Sequence, residues 1–123
     1  MKIAVTAATE AGLDAPVAGH FGQAPHFVLV EATGGSITTT RSVPNPFLAG
    51  HQPGEVPAFI RAQGADVILS GGMGVQAIRI FEQVGITAAT GASGTVRQAV
   101  TDYLHGALAG ASPCADSVQH HQA

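Results

Sequence analysis

Two successive segments in the second half of the chain each combine an apolar run, a glycine-rich loop and an amphipathic helical pattern. DVILSGGMG (66–74) leads into a helical period that stops at Gly85, and ITAATGASG (86–94) leads into one that stops at Gly106. A short apolar run followed by a helix is typical of strands buried on both faces of a parallel sheet. The sequence therefore predicts two right-handed strand–helix crossovers.

The first half of the chain has strand patterns separated by turns. KIAVTA (Lys2–Ala7) and HFVLVEA (26–32) are apolar, and a Gly-Gly turn joins the second to the β-branched SITTTRSV (36–43). PNPFLAGHQPG (44–54) has three prolines and predicts a loop, after which a helix begins near Glu55. The order βββαβαβα predicts an α/β fold with a mixed five-stranded sheet, strand order 3-2-1-4-5, and helices on its faces.

Composition limits the classes of function. The chain has 123 residues, of which 46% are hydrophobic and 11% charged, with a net charge of −3. That length suits one domain, which we expect to span residues 1–108. The five basic residues are scattered singly, so the basic stripe of a nucleic-acid-binding protein is missing from the sequence.

Membrane and secretory segments are also not expected. No apolar run approaches the roughly 20 residues that span a bilayer. Glu10 and Asp14 interrupt the N-terminal apolar stretch before it could serve as a signal peptide. The single cysteine, Cys114, excludes an internal disulfide and fits a reducing compartment. We therefore expect a cytoplasmic protein, a monomer or weak dimer.

Three glycine-rich loops should share one edge of the sheet. The carboxyl ends of parallel strands lie at one edge, so the loops after strands one, four and five should meet there. These loops are residues 8–19 with the HFGQAP that follows, GGMG (71–74) and GASG (91–94). Two of them begin helices and would offer backbone N–H groups to an anion. Alternatively, the glycines only form short turns.

Other chemistries fit the sequence less well. The carboxylates of Asp14, Glu31 and Asp66 do not converge on the first strand, which disfavours a two-metal nuclease with this sheet order. Ser70 and Ser93 have no evident acid–histidine pair beside them. GGMG matches neither a Walker motif nor a dinucleotide fingerprint.

Histidines and the cysteine supply candidate metal ligands outside these loops. Cys114, His120 and His121 lie in an Ala/Gly/Ser-rich tail (109–123) that we expect to be flexible, and thiolate and imidazole suit Cu(I), zinc or iron–sulfur chemistry. Their spacing is not that of a standard zinc site. The tail either closes over a site or is a passive terminus. His51, in the proline-rich loop, either approaches the same rim or is solvated.

Three segments together resemble a known family. HFGQAPHFVLVE, GADVILSGGMGVQAIRIFEQVGI and TGASGTVRQAVTDYLHGAL are similar, in order and spacing, to the dinitrogenase iron–molybdenum cofactor biosynthesis family. The resemblance runs from Lys2 to about Leu108 and implies a ribonuclease-H-like α/β fold. It also implies non-enzymatic binding of metal–sulfur clusters. One class of relatives, the orange proteins, holds an anionic molybdenum–copper sulfide cluster non-covalently.

The resemblance also assigns site residues. It maps the family's histidine onto His20, whereas His26 begins the second strand and is expected to be structural. Gln23 stands where the family commonly has arginine, which weakens the electrostatic attraction for a trianionic cluster, and Met73 would place a soft thioether at the rim, suited to copper. The candidate cofactor-binding residues are His20, Phe21, Gly22, Gln23, His51, Gly71, Gly72, Met73, Gly74 and Ser93.

The sequence thus predicts a carrier of a molybdenum-containing metal–sulfur cluster, of the molybdenum–copper sulfide type or of the iron–molybdenum cofactor precursor type. Its partners would be cluster donor, acceptor or scaffold proteins. The alternative is a regulatory or scaffold module without a cluster. In that case the edge strand (36–43) and the proline-rich loop would bind a protein partner.

Overall fold

A computed structural model describes residues 1–47 and 54–108. Within these ranges the strands are β1 (Lys2–Ala7), β2 (His26–Thr33), β3 (Ser36–Pro44), β4 (Val67–Leu69) and β5 (Thr87–Ala89). The helices there are α1 (Glu55–Ala62), α2 (Val75–Gln83) and α3 (Val96–Leu104). The elements follow the predicted order βββαβαβα.

The described strands form one mixed sheet in the order β3-β2-β1-β4-β5. β2 pairs antiparallel with both β1 and β3, whereas β4 pairs parallel with both β1 and β5. The predicted ribonuclease-H-like topology is therefore confirmed. Its central strand, β1, is buried from Ile3 to Ala7, as expected for a strand with neighbours on both sides and helices on both faces.

The apolar side chains divide between the two faces of the sheet. Val5, Val28 and Leu69 pack on one face with Val100 of α3. On the other face, Phe27 and Ile68 pack with residues of α1 and α2, among them Val56, Ile60, Ile78 and Phe81. Because side chains alternate along each strand, one sheet serves both cores, and the molecule has three layers.

Two details differ from the sequence prediction. The parallel strands β4 and β5 are three residues each, shorter than the five-residue apolar runs that predicted them. Short 3-10 turns cover Gly12–Asp14 and Phe21–Gln23, where an irregular loop was expected. The hydrogen bonding nevertheless continues beyond β4, since the Ser70 N–H donates to Ala89 O at 3.2 Å.

The described residues contain no helix with the length and apolar character needed to cross a membrane. Four of the sequence-predicted site residues lie outside the described residues: His51, Cys114, His120 and His121.

Candidate functional site

Backbone hydrogen bonds join the three glycine-rich loops at the carboxyl edge of the parallel strands. The Gly71 N–H donates to Ala18 O at 3.2 Å, and the Phe21 N–H donates to Gly72 O at 2.8 Å. The third loop is attached through the Gly91 N–H, which donates to Gly71 O at 3.1 Å. The predicted convergence of the three loops is therefore confirmed.

Two buried hydroxyl groups form hydrogen bonds beside the contact between the first and second loops. Ser70, at the end of β4, is fully buried, and its Oγ lies 3.1 Å from Gly72 O and 3.0 Å from Thr6 Oγ1. Each hydroxyl has one proton, so Thr6 donates to Ser70, which donates to Gly72. Sequence reasoning did not assign this role, although two hydroxyls within apolar strands were a visible signal. Its burial also removes Ser70 as a nucleophile.

A cavity of about 400 Å³ opens between the first and second loops. Among its lining residues, only His20 has an ionisable side chain, and none is a carboxylate. The absence of negative charge from this lining suits an anionic ligand. The lining residues are His20, Phe21, Gly22, Gln23, Gly72, Met73 and Gly74.

The start of α2 leaves main-chain donors unused at this cavity. Gly74 is the N-cap of α2, has an extended backbone and supplies no side-chain cap. In the part of the chain that the structure describes, the N–H groups of Gly72, Met73 and Gly74 donate to no acceptor. Gly72 and Met73 precede this N-cap, so their N–H groups are loop donors beside the partial positive charge of the helix N-terminus, and together they favour an anion.

The start of α3 differs from that of α2. The N-cap Thr95 accepts a hydrogen bond from the Gln98 N–H through its Oγ1, at 3.2 Å. Both helix N-termini were expected to offer donors to a ligand, but Thr95 already satisfies one donor of α3. Ser93, in the loop before α3, is exposed and does not line the cavity. Ser93 as a cluster-binding residue therefore stays a prediction.

Met73 also departs from the prediction. It is only 1% exposed and packs in the core beneath α1 and α2. The expectation of a thioether at the rim is wrong, because Met73 follows Gly72 into the apolar layer and its side chain is held there. Gly71 is likewise absent from the cavity lining and lies against the first loop instead.

Phe21 connects the cavity to the core. Its ring packs edge-on against Phe81 of α2 with 5.3 Å between ring centroids, and the residue is buried. An adjacent cavity of about 300 Å³ shares Phe21, Gly22 and Gly74. Its outer wall is Pro57, Gln76, Ala77 and Ile80, residues that sequence reasoning did not connect with the site.

The carboxylates lie away from this cavity, although two of them meet at Lys2 of β1, where no convergence was expected. Asp66 Oδ2 accepts the Lys2 N–H at 2.9 Å, and Glu31 Oε1 is 3.9 Å from Lys2 Nζ, which places both acids at the amino end of β1. Asp14 lies 3.6 Å from Arg97. Across the described ranges, no group of three or more His, Cys, Asp or Glu side chains is arranged to hold a metal ion.

Comparison with known proteins identifies the family of the chain. The sequence profile of the dinitrogenase iron–molybdenum cofactor family matches residues 1–106. The chain belongs to this family.

Two solved structures are similar to the chain in sequence and in fold. It is 32% identical to the orange protein from Desulfovibrio gigas, whose apo form superposes with a TM-score of 0.80, covering 91% of this chain and 93% of that one. It is also 32% identical to PH0822, with a TM-score of 0.79, covering 89% of this chain and 96% of that one. A search of the curated proteins found no match.

Proposed function

We propose that this member of the dinitrogenase iron–molybdenum cofactor family carries an anionic, molybdenum-containing metal–sulfur cluster without catalysing a reaction. The cluster binds non-covalently in the cavity between residues 20–23 and 72–74. The observation that carries this proposal is the open start of α2, where the N–H groups of Gly72, Met73 and Gly74 lack acceptors among the described residues. Such groups stabilise negative charge without a covalent ligand.

The chemistry of the lining supports a soft anion. The sulfide surface of a thiomolybdate-type cluster accepts weak hydrogen bonds from backbone N–H groups, and an imidazole N–H of His20 adds a side-chain donor. Phe21 supplies an apolar wall beside these donors. The cargo is of the molybdenum–copper sulfide type or of the iron–molybdenum cofactor precursor type.

Anaerobic reconstitution tests the proposal. The protein is incubated with tetrathiomolybdate and a copper salt and then desalted, and molybdenum and copper are measured in the protein fraction together with the visible charge-transfer bands. We expect both metals to elute with the protein. Molybdate with the same copper salt is the control, because its oxo surface lacks the sulfide groups. A desalted protein without metal or colour would contradict the proposal for this cluster.

Two variants locate the binding. His20 lines the cavity, whereas His105 is an exposed residue at the end of α3 that does not line it. His20→Ala should lower the molybdenum retained severalfold, and His105→Ala should retain as much as the wild type. In ¹⁵N-resolved NMR spectra, the diamagnetic Mo(VI)–Cu(I) cluster should shift the amides of Gly72, Met73 and Gly74. Equal losses in both variants, or unmoved amides, would place the cluster elsewhere.

A further inference from the structure

In the part of the chain that the structure describes, the outer edge of β3 presents unpaired main-chain groups, as the hydrogen bonds of the inner strands show. The Lys2 N–H donates to the Asp66 carboxylate and Lys2 O accepts from the Asp66 N–H, so the peptide groups of Lys2 face β4. These groups alternate in direction along a strand. Those of Val5 therefore face β2, where Val5 lies opposite Val28. It follows that the peptide groups of Val28 face β1.

The same alternation fixes the outward groups of β3. The peptide groups of Leu29 face β3, where Leu29 lies opposite Arg41. Arg41 therefore bonds to β2, and the N–H and C=O groups of Thr40 and Ser42 point away from the sheet. Pro44 also falls at an outward position, where its missing N–H removes no bond within the sheet. Among the described strands, β3 pairs with β2 alone.

This edge has little of the protection that exposed strands usually carry. β3 has nine residues, the most of any described strand, and Arg41 is its only charged residue. Exposed edges are commonly blocked by lysines, short strands or several prolines. A bulge between Glu31 and Ala32 of β2 affects only the far end of the pairing. As far as residues 1–47 and 54–108 are concerned, the segment from Thr39 to Val43 is therefore open to an added strand.

A polar cavity of about 380 Å³ lies over one face of the sheet, where residues of β1, β2 and β3 give it a net positive lining. Its charged residues are Lys2, Glu31 and Arg41. Lys2 Nζ donates to Gln63 O at 2.9 Å, and Arg41 Nη2 donates to Gln63 Oε1 at 3.0 Å, so both cations are held at the C-terminal end of α1. Two cations and one carboxylate favour an incoming negative charge.

We propose that β3 binds an extended, acidic segment of a partner protein as an added edge strand. The main-chain groups of Thr40 and Ser42 pair with the segment, and one of its carboxylates pairs with Arg41, while Lys2 adds positive charge further along the same face. This is recognition by strand addition, in which the backbone supplies affinity and side-chain pockets supply specificity. A second copy of β3 is a poor occupant because it carries Arg41 and no carboxylate.

The test is an NMR titration of the full ¹⁵N-labelled chain with two end-blocked ten-residue peptides. In one peptide threonine alternates with glutamate, and in the other threonine alternates with lysine. We expect the glutamate peptide to shift the amides of Thr40 and Ser42 and to bind at least about tenfold more tightly than the lysine peptide. Equal binding of the two peptides, or shifts confined to other parts of the chain, would overturn the proposal.

Matched variants test the main-chain pairing and the charge preference separately. Thr40→Pro removes one outward N–H and should abolish the shifts, whereas Thr40→Val keeps that N–H and should bind as the wild type does. Arg41→Glu should reverse the preference in favour of the lysine peptide, which gives a readout even if Thr40→Pro fails to fold. Unchanged preference in Arg41→Glu would refute the charge assignment. Sedimentation showing a dimer that Thr40→Pro dissociates would identify a second copy as the occupant instead.

Discussion

Gly71 lies so close to Gly19 that a Cβ atom added to Gly71 would be 2.9 Å from Gly19 O. The same atom would lie 3.0 Å from Ala18 O and from the Gly19 Cα. All three neighbours are backbone atoms, so none can rotate away as a side chain would. The second loop can therefore pack on the first only because residue 71 has no side chain.

Gly71→Ala should consequently lower the free energy of unfolding by about 3 kcal/mol and weaken cluster retention, since the loops must separate to admit the methyl group. Gly22→Ala is the matched control, because a Cβ there meets no atom within 4 Å. That variant should stay within about 0.5 kcal/mol of the wild type. Urea unfolding followed by circular dichroism measures both. Equal stability of the two variants would show that the contact is not restrictive.

The hydrogen bond between Thr6 and Ser70 predicts unequal effects of two substitutions. Ser70→Ala leaves Gly72 O with only the Phe21 N–H as donor, and it leaves buried Thr6 with only the longer contact to Ala18 O at 3.5 Å. Thr6→Val leaves the Ser70–Gly72 bond intact. Ser70→Ala should cost about 1–3 kcal/mol of unfolding free energy, and more than Thr6→Val. The double variant should cost less than the sum, as a double-mutant cycle in urea will show. Full additivity would mean that the two hydroxyls act independently.

Because the Met73 side chain lies in the core, we expect its substitutions to change stability but not the metals that are bound. Met73→Leu conserves volume and should change stability by less than about 1.5 kcal/mol, whereas Met73→Ala should cost about 2–5 kcal/mol. Because the thioether lies in the core, Met73→Leu should keep the same copper-to-molybdenum ratio after reconstitution. Metal analysis of the desalted variant checks this expectation. Loss of copper alone would restore the thioether as a ligand.

Gln23 offers a way to add charge to the cavity. It is exposed and lines the cavity, and the cavity lining carries no lysine or arginine. Gln23→Arg should tighten binding of the anionic cluster about threefold at low salt, and Gln23→Glu should weaken it to a similar extent. Titrations followed by visible absorbance at low and high salt measure both effects. The gain from arginine should shrink at high salt, because exposed charges are screened; a gain independent of salt would point to another cause.

The fold was predictable from local patterns because each element carries its own signal. Apolar runs predicted β1, β2, β4 and β5, and a β-branched segment predicted β3. The glycine after each helix predicted where α1, α2 and α3 end. The two crossovers then fixed the strand order, since right-handed connections leave few alternatives. The convergence of the glycine-rich loops followed from the strand directions alone.

The details of the site were less predictable because they depend on residues far apart in the chain. Thr6 and Ser70 are 64 residues apart, and neither pattern indicates the other. Met73 lies in a glycine-rich loop, where an exposed side chain was expected. Tertiary packing instead places its side chain in the core. Whether a helix N-terminus is open or capped depended on one residue, Gly74 in α2 and Thr95 in α3. Both identities are visible in the sequence, so this contrast is predictable from it.

The hydrogen bonds that join Gly71 to Ala18 and Phe21 to Gly72 also limit how the cavity can respond to its contents. They join the first and second loops, which form the two walls of the cavity. These loops cannot move apart there unless the bonds break. Each such bond contributes about 1 kcal/mol, and breaking both would offset much of the gain from a poorly fitting guest. We therefore expect the cavity to select inorganic clusters by their diameter as well as by their charge.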